Sequence, residues 1–491
     1  MWRFSHFLTQ GRTIPCGHSQ IVLCSFRSLR HSFLILNSID IAQFPHYDPS
    51  HSSRTTRAIH CSAREEGGII RVCIVGLGYV GVPLAVEFVR GGLHVIGIDI
   101  DEAKVSQLSA GRSYIPDVPD STIAEIVGSG RLQASTSFVL AAEADAICIC
   151  VPTPLNKSQD PDISAIVHAV EQIAPHLRQG MLIVLESTTY PGTTEELVLP
   201  KLAESGLRVG VDFYLAFSPE RVDPGNPSFG IRNTPKIIGG VTPACTKKAL
   251  ELYRHAVDHL VPVSNARSAE MVKLLENTFR AVNIAMVNEL AIICERLNVD
   301  AWEVIDAAKT KPFGFMPFYP GPGLGGHCIP IDPLYLSWKM KTLDYTARFI
   351  DLANTINSNM PQYVVERISD ALNAVEKSVK GSRILVLGVA YKKNIGDIRE
   401  SPAIDIIGLL RQKGADVAYS DPFVPELSVL DENLASYPLQ SGLTGFDLVA
   451  IIADHDCFDY NYLLASCPLI FDTRNATARH KIPAGCTVVR L

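Results

Sequence analysis

The run Ile69-Ile70-Arg71-Val72-Cys73-Ile74-Val75, followed directly by Gly76-Leu77-Gly78-Tyr79-Val80-Gly81, decides the fold of this 491-residue chain. The first part is almost continuously apolar, as a parallel strand buried on both faces requires. The second part has the spacing G-x-G-x-x-G, and a helical pattern follows it as far as Arg90. A strand, a glycine-rich turn and a helix in this order predict the first unit of a doubly wound α/β domain.

The glycines of this turn have the properties that dinucleotide binding needs. Gly76 makes the tight turn, Gly78 lets the backbone approach a pyrophosphate, and Gly81 allows close packing of helix on strand. The pyrophosphate then rests on the free N–H groups of the helix N-terminus. Asp99 ends the second predicted strand, where a carboxylate accepts hydrogen bonds from a ribose diol and repels a 2′-phosphate. The pattern predicts NAD rather than NADP; the alternative is a packing turn in a cofactor-free protein.

The chain after residue 66 divides into three predicted domains. Residues 67–258 form the NAD-binding domain, and residues 259–379 a helical central domain that carries the loop Pro320–Gly326. Residues 380–491 open a second β-α-β pattern that lacks G-x-G-x-x-G. We expect two Rossmann-like doubly wound domains joined by the helical domain, whose long helix suits a spine or the seam of a homodimer or higher homo-oligomer. Strands are predicted at residues 94–99, 146–151, 181–186, 213–218, 415–420, 448–453 and 469–472, and a helix at 401–413.

Residues 1–66 differ in composition from the rest of the chain. They contain no lysine, few acidic residues and frequent serine, and no stretch shows the apolar periodicity of a helix or a strand. This composition is typical of an organellar transit peptide, for a plastid first and a mitochondrion as the alternative. The other interpretation is a disordered extension or a mis-called start codon on a cytoplasmic protein. The arginines of this leader are Arg3, Arg12, Arg27, Arg30, Arg54, Arg57 and Arg64.

Charge and cysteine usage exclude several classes of function. The net charge is −7 without a Lys/Arg block, so neither a nucleic acid nor an anionic membrane is expected as a partner. Apolar runs fall short of the ~20 residues that span a bilayer. The cysteines after the leader are scattered, which argues against a disulfide framework and for a reducing compartment. Cys148 and Cys150 alternate with isoleucines as buried strand positions rather than zinc ligands, and no metal site is expected.

Cys328 has an unusual setting in Gly325-Gly326-His327-Cys328-Ile329-Pro330-Ile331-Asp332. The glycines remove steric cover from the thiol, and His327 or a helix terminus would lower its pKa. Asp332 follows four residues later as a base or orienting group. In an NAD enzyme such a thiol forms a thiohemiacetal from an aldehyde, so that a second hydride leaves a thioester. The alternative is a small buried hydrophobic cysteine.

Several long motifs occur in one order from about Ile69 to the C-terminus. They are GLGYVG with Asp99, ESTTYPGTTEE, FSPERVDPG, AEMVKLLENTFRAVNIAMVNE, GPGLGGHCIPIDP, LGVAYKKNIGDIRESPA and FDTRNA. In these motifs the chain resembles the UDP-glucose/GDP-mannose dehydrogenase family. The forms SPERVDPG and GGHCIPID are most similar to the UDP-N-acetylglucosamine 6-dehydrogenase branch, and the HC pair also resembles UDP-N-acetylmannosamine dehydrogenases. The UDP-glucose branch typically reads NPEFLxEG and GGSCFxKD.

The resemblance implies an NAD-dependent, four-electron oxidation of the C6 hydroxyl of a UDP-sugar to a carboxylate. UDP-N-acetylglucosamine is the implied substrate, with UDP-glucose and UDP-N-acetylmannosamine as alternatives. Cys328 would be the nucleophile and Asp332 its partner. Lys273 and Asn277, an i,i+4 pair that alone reads as a solvent-facing lysine beside a packing asparagine, would contact the reacting oxygen. The resemblance also implies Thr189 for positioning water and cofactor and Glu220 as the base for thioester hydrolysis.

The resemblance further implies two sets of binding residues. On the cofactor side these are Gly76, Leu77, Gly78, Tyr79, Val80, Gly81, Asp99, Lys104, Val151, Pro152, Thr153, Thr188 and Arg399. On the substrate side they are Glu220, Lys273, Asn277, Gly323, Gly325, Gly326, Tyr391, Lys392 and Arg474.

Two positions depart from the UDP-glucose branch. Where that branch has an arginine supplied across the dimer, this chain has Lys309, Lys311 and Pro312, and where it has a second glutamate after SPE, this chain has Asp223-Pro224. Neither role is carried over. Two other classes compete with the family interpretation. A two-electron hydroxyacid dehydrogenase needs no nucleophilic cysteine and no second α/β domain, and a non-catalytic nucleotide-sugar binding protein needs none of the implied catalytic set.

Overall fold

The computed structural model describes residues 70–156, 159–223, 225–226, 228–430 and 432–491. The leader, and with it the transit-peptide interpretation, lies outside the described residues. Within the described residues, no helix combines the length and apolar character needed to cross a bilayer.

Eight strands form the sheet of the N-terminal α/β domain. From one edge to the other the order is β3-β2-β1-β4-β5-β6-β7-β8, parallel throughout except for the antiparallel pair β6–β7. The order 3-2-1-4-5-6 is that of dinucleotide-binding folds, in which ligands bind where the strand order reverses, here between β1 and β4. The strands are β1 Arg71–Val75, β2 His94–Ile98, β3 Leu132–Ser135, β4 Ala146–Ile149, β5 Leu182–Leu185, β6 Tyr214–Phe217, β7 Lys236–Gly240 and β8 Leu260–Pro262.

Helices cover both faces of this sheet, which explains why β1 is apolar at successive positions. Val72 and Ile74 belong to one buried cluster, and Cys73 and Val75 to another on the opposite face. Cys148 and Cys150 share the face of Val72, as the sequence predicts. The helices of this domain are α1 Gly81–Arg90, α2 Glu102–Ser109, α3 Asp120–Gly128, α4 Ser164–Ile173, α5 Leu199–Ala203 and α6 Pro243–Tyr253.

The central region is helical, as predicted, and a buried amide network fixes it. Asn288 donates to Asn357 Oδ1 at 2.9 Å, Asn357 donates to the carbonyl of Ala281 at 3.1 Å, and Asn288 Oδ1 accepts from the N–H of Gly321 at 2.9 Å. The long helix is therefore tied both to a neighbouring helix and to the start of the glycine-rich loop. These helices are α7 Ala266–Arg296, α8 Ala301–Ala308, α9 Asp332–Lys341 and α10 Arg348–Asn373.

A five-stranded parallel sheet forms the C-terminal α/β domain, in the order β10-β9-β13-β14-β15. This is the other common doubly wound order, with its reversal between β9 and β13. Two doubly wound domains joined by helices confirm the predicted fold class. The remaining elements are β9 Arg383–Leu387, α11 Pro402–Gln412, β10 Asp416–Ser420, the hairpin β11 Glu426–Val429 and β12 Glu432–Ala435, β13 Leu448–Ile451, α12 Tyr460–Ser466, β14 Leu469–Asp472 and β15 Thr487–Arg490.

Candidate active site

The three glycines after β1 are required for different reasons. A Cβ at Gly76, whose φ is +97°, would lie 2.7 Å from the carbonyl oxygen of Cys150, and a Cβ at Gly81 would lie 1.9 Å from that of Gly76. Both glycines are therefore needed by the protein's own packing. A Cβ at Gly78 would meet no protein atom within 4 Å. The space beside Gly78 fits the approach of a ligand to the backbone at the start of α1.

Asp99 follows β2 and faces the same turn. Its Oδ2 accepts a hydrogen bond from the N–H of Leu77 at 2.8 Å, and its Oδ1 accepts from Asp101 at 3.0 Å. Lys104 Nζ lies 3.9 Å from Asp99 Oδ2. The carboxylate is thus held against the glycine turn, with one cation nearby. From the C-terminal domain, the Arg399 guanidinium lies over the Tyr79 ring at 5.0 Å.

The carboxyl ends of β4 and β5 complete this edge. Val151, Pro152 and Thr153 follow β4 after Cys150, and the carbonyl of Thr153 accepts a hydrogen bond from Tyr335 on α9 at 3.0 Å. Thr188 follows β5 in the loop that carries Thr189. The edge predicted to bind the cofactor is therefore connected to the helix that begins at Asp332.

The Cys328 loop meets α7 at a compact polar cluster. Asp332 is the buried first residue of α9, and its Oδ2 accepts a hydrogen bond from Nδ2 of Asn277. One turn earlier on α7, the ammonium of Lys273 donates to the main-chain oxygen of Glu220 at 2.6 Å. Cys328 is an exposed residue of the loop that precedes Asp332. The structure thus brings together four of the six residues implied as catalytic, and the main chain of Glu220, a fifth, contacts this cluster.

The charges in this cluster favour a neutral thiol beside a carboxyl that titrates near neutrality. Burial raises the pKa of Asp332 to about 6, against the lowering effects of Lys273 and Asn277. Protein atoms displace much of the water around the exposed Cys328 sulfur, and this desolvation raises the pKa of the thiol, as does Asp332. The expectation that His327 or a helix terminus lowers the thiol pKa is wrong. Burial and Arg399 lower the pKa of His327 itself, so its imidazole carries no charge that would stabilise a thiolate.

Replacing Asp332 by Asn is expected to stabilise the fold while impairing the reaction. A folded-state pKa of about 6 exceeds the ordinary 3.8, so this carboxyl contributes stability below about pH 4 that is lost as the pH rises through 6. Asp332→Asn removes the cost of the buried charge, about 3 kcal/mol at pH 8 and about half of that at pH 5. Thermal melts should show a higher Tm than wild type, with the larger gain at pH 8.

The control for this measurement is Asp306→Asn. Asp306 is exposed, and hydrogen bonds from Lys309 and Tyr319 lower its pKa, so this variant should not gain stability at pH 8. An Asp332→Asn protein with an unchanged or lower Tm at pH 8 would show that burial of Asp332 carries no cost.

Glu220 and Thr189 approach the cluster from two loops of the N-terminal domain. Glu220 Oε1 accepts from the N–H groups of Arg221 and Val222, each at 2.8 Å. The Thr189 hydroxyl is paired with that of Thr193 at 2.7 Å. Within the part of the chain that the structure describes, the Thr189 hydroxyl is bonded to Thr193 and not to Cys328. The loop nevertheless reaches the site, because the neighbouring Tyr190 packs in one apolar cluster with Leu274, Ile331 and Tyr335.

The C-terminal domain packs on the Cys328 loop through two of the predicted substrate residues, Tyr391 and Arg474. A Cβ at Gly325 would lie 2.5 Å from Cβ of Tyr391, and one at Gly326 would lie 2.9 Å from the ring, so these glycines let the loop pack on Tyr391. Arg474 reaches the beginning of the same loop, where a Cβ at Gly321 would lie 2.6 Å from its Nη1. Gly323, with φ +134°, packs beside Pro402 and α10. Lys392 instead contacts both carboxylate oxygens of Asp223 at 2.9 Å.

Sequence reasoning missed the charged partners behind Glu220. Lys236 begins β7 and is buried, with its ammonium 3.2 Å from Glu220 Oε2 and 2.7 Å from Glu186 Oε2. The sequence feature that could have indicated this buried charge is the position of Lys236 directly before the apolar pair Ile237-Ile238. Asp223, whose role was not carried over, is the partner of Lys392 in this structure. Among the described residues, no group of three or more His, Cys, Asp or Glu side chains is arranged to hold a metal ion.

Three family models match the chain in sequence order. They describe the NAD binding domain of the UDP-glucose/GDP-mannose dehydrogenase family over residues 70–257, its central domain over 267–359 and its UDP binding domain over 385–479. The chain belongs to this family. It is accordingly a nucleotide-sugar dehydrogenase that uses NAD and acts on a UDP-sugar.

Matches to individual relatives span most of this chain and most of each relative. The UDP-N-acetyl-D-mannosamine dehydrogenase of Methanococcus maripaludis is 36% identical over 424 residues, 83% of this chain and 93% of the relative. The UDP-N-acetyl-D-glucosamine 6-dehydrogenase of Pseudomonas aeruginosa is 36% identical over 365 residues, 74% of this chain and 85% of the relative. The solved UDP-D-ManNAc dehydrogenase of Pyrococcus horikoshii is 33% identical with a TM-score of 0.78, covering 86% of this chain and 99% of that one.

We expect this dehydrogenase to prefer NAD over NADP by at least about 100-fold in kcat/KM, because a 2′-phosphate would face the Asp99 carboxylate. Asp99→Asn keeps an acceptor for the Leu77 N–H but removes the charge, and should reduce the preference at least about tenfold. Initial rates with both cofactors measure this ratio. Asp101→Asn is the control, since Asp101 caps α2 and is exposed. Equal wild-type rates with NAD and NADP would contradict the role of Asp99.

Proposed function

We propose that this dehydrogenase oxidises the C6 hydroxyl of a UDP-2-acetamido sugar to the carboxylate through a thiohemiacetal and a thioester on Cys328. The observation that carries the proposal is the cluster of Cys328, Asp332, Lys273, Asn277 and Glu220, formed where the loop packed on Tyr391 meets α7. A two-electron dehydrogenase would not need the thiol or the second carboxylate.

Side chains of this cluster accept or donate the proton in each step of the proposed reaction. When bound, NAD accepts the hydride that leaves C6 in each of the two oxidations. In the first oxidation the C6 hydroxyl proton passes to the Asp332 carboxylate and from there to solvent, while the Lys273 ammonium and the Asn277 amide stabilise the negative charge that develops on the C6 oxygen. The Cys328 sulfur then adds to the aldehyde carbon. Its proton passes to Asp332, whose pKa of about 6 suits a group that takes up and returns a proton near neutrality.

Hydrolysis of the thioester uses the other side of the cluster. The C6 oxygen of the thiohemiacetal is an alkoxide held by Lys273 and Asn277, because the thiol proton is on Asp332, so loss of the second hydride alone leaves C6 as an acyl group on sulfur. Glu220 removes a proton from water as the water oxygen bonds to that carbon, the C–S bond breaks, and the sulfur regains a proton from Asp332. Thr189 holds the water, for which its hydroxyl exchanges the hydrogen bond with Thr193. The acid released makes the overall oxidation irreversible.

We propose UDP-N-acetylglucosamine as the preferred sugar. The motif forms SPERVDPG and GGHCIPID support this assignment, and a relative from Pseudomonas aeruginosa carries that substrate in its name. The names of the relatives from Methanococcus maripaludis and Pyrococcus horikoshii favour UDP-N-acetylmannosamine as the second candidate.

Purified protein should show a kcat/KM for UDP-N-acetylglucosamine at least about tenfold above that for UDP-glucose. A pocket formed around an acetamido group leaves polar groups unpaired when that group is missing, which is the physical reason for the difference. The assay compares the three sugars and records NADH formed per sugar consumed, with two expected. Preference for UDP-N-acetylmannosamine would transfer the assignment to the second candidate, and preference for UDP-glucose would contradict the acetamido class.

We infer that two copies of this dehydrogenase pair through the outer face of α7. An apolar stripe at helical spacing runs along that face, and its members are 38% to 58% exposed. A contiguous apolar stripe of this length in water indicates an interaction surface. Light scattering should give the mass of a dimer, and a monomer mass would contradict the inference. The stripe consists of Met271, Leu275, Phe279, Met286 and Ile293.

A further inference from the structure

A chain of buried charges extends from Glu220 into the core of the N-terminal domain. The ammonium of Lys236 donates to Glu220 Oε2 at 3.2 Å, to the carbonyl of Pro219 at 3.4 Å and to Glu186 Oε2 at 2.7 Å. The hydroxyl of Tyr253 donates to the other oxygen of Glu186. All three hydrogens of the ammonium and both oxygens of Glu186 therefore have partners inside the protein.

Such a chain is costly as a purely structural device. The Lys236 and Glu186 side chains are 5% and 0% exposed. Removing two charges from water costs several kcal/mol per ion, and replacing a buried ion pair by apolar residues of similar volume is often neutral or stabilising. The feature that an apolar replacement would not provide is a fixed positive charge against Glu220.

The contacts of Glu220 show what this charge does. Its Oε1 already accepts two main-chain hydrogen bonds, so Oε2 is the oxygen left to accept a proton from water. Lys236 uses only one side of Oε2, because a carboxylate oxygen has two lone-pair directions. Because hydrogen bonds hold both Oε1 and Oε2 of Glu220 in place, the lone pair of Oε2 that Lys236 does not use points in a fixed direction.

We propose that Lys236 is a positioning residue for thioester hydrolysis, which aims Oε2 of Glu220 at the water and keeps that carboxylate ionised, while Glu186 keeps the ammonium charged inside the domain. The inference rests on the proposed function, since Glu220 is a base only in that reaction.

The electrostatics of the neighbours agree with this geometry. Burial alone would raise the pKa of Glu220, but Lys236 and the Val222 N–H hold it below its ordinary value. Burial alone would lower the pKa of Lys236, and the two carboxylates raise it instead. The charged or titratable groups around Glu220 are Lys236 from β7, Lys273 from α7, Glu186 after β5 and Cys150 after β4.

The test follows the thioester itself in the full-length enzyme with NAD and UDP-N-acetylglucosamine. Samples are quenched at intervals, and intact mass measures the sugar acyl adduct on Cys328 between about pH 3.5 and 8.5, a range that includes the acidic limb set by Glu220. In Lys236→Met the adduct should accumulate and decay at least about tenfold more slowly than in wild type, and the acidic limb of its decay should move up by about one pH unit. Lys236→Arg keeps the charge and should recover part of the rate.

Two further variants separate positioning from packing. Glu186→Gln removes the carboxylate that competes with Glu220 for the charge of Lys236. Lys236 then forms an ion pair with Glu220 alone, so the acidic limb of adduct decay should lie at no higher pH than in wild type. Tyr253→Phe is the matched control: it deletes a buried polar contact of the same chain but leaves both ion pairs of Lys236, and its adduct should decay within about twofold of wild type.

The outcomes distinguish this inference from the proposed function. If Lys236→Met decays at the wild-type rate with the wild-type pH profile, or if Tyr253→Phe is slowed as much as Lys236→Met, Lys236 has only a structural role. If Lys236→Met does not fold, Glu186→Gln provides the test. An acidic limb of adduct decay that lies at higher pH in Glu186→Gln than in wild type would overturn the proposal. If the wild-type enzyme forms no sugar adduct on Cys328 and yields one NADH per sugar, the proposed function itself fails.

Discussion

Cys328→Ser should lose steady-state formation of two NADH per sugar by at least about 1,000-fold. An aldehyde has no hydride to lose until a nucleophile adds to its carbon, and a serine hydroxyl beside Asp332 is a far weaker nucleophile than a thiol. An ester that did form would hydrolyse slowly, because an alkoxide is a poorer leaving group than a thiolate. Rapid-quench sampling with intact mass would then detect the sugar ester on the serine.

The fold and the cofactor site should survive this change, since it replaces one exposed atom in a loop. Cys457 is the other exposed cysteine among the described residues, and Cys457→Ser is therefore the matched control, with wild-type turnover expected. Near-normal release of two NADH per sugar by Cys328→Ser would show that the thiol is only a packing residue.

The parts of this site that the residues alone predicted, without the family resemblance, are those that local spacing determines. Gly76, Gly78 and Gly81 lie in one turn, and Asp99 follows the next strand, so a pattern of a few residues contains the whole arrangement. The same holds for Cys328 and Asp332, which one turn of chain brings together at the start of α9. Such contacts follow from strand and helix geometry alone.

The missed contacts join residues far apart in the chain. Lys236 meets Glu186 across 50 positions, and Lys392 meets Asp223 across 169. No periodicity or motif in the sequence indicates either pair. The first pair depends on which strand ends lie side by side in the sheet, and the second depends on how the two α/β domains pack on each other. The raised pKa of the Cys328 thiol was missed for a related reason: its largest cause is burial by residues distant in the chain, which the neighbouring His327 and Asp332 in the sequence do not indicate.

The loop that carries Cys328 connects the three parts of the chain. Gly321 is bound to Asn288 of α7, Gly325 and Gly326 pack on Tyr391 of the C-terminal domain, and Tyr335 on the following helix bonds to Thr153 at the cofactor edge. A shift of either α/β domain would therefore move the loop with it. This arrangement explains why the glycines of the loop are required by packing, whereas Gly78 is not.

Gly78→Val is expected to abolish NAD binding while leaving the protein folded. A Cβ at this position meets no protein atom within 4 Å, so the side chain costs the fold little and occupies space at the N-terminus of α1. The pyrophosphate would lose its close approach to the main-chain N–H groups, and we expect the Kd for NAD to rise at least about 100-fold, or roughly 2.7 kcal/mol. Calorimetry measures the Kd, and circular dichroism with thermal melting tests the fold.

Two other glycine substitutions make this measurement specific. Gly128→Val adds the same side chain to open space on α3 of the same domain and should leave both Tm and Kd near wild type. Gly81→Val should fail to fold, since its Cβ would lie 1.9 Å from the carbonyl oxygen of Gly76. If Gly78→Val kept wild-type affinity for NAD, the space beside Gly78 would not be where the pyrophosphate lies. The glycine would then be a feature of the turn alone, and the basis for placing the cofactor at this edge would be lost.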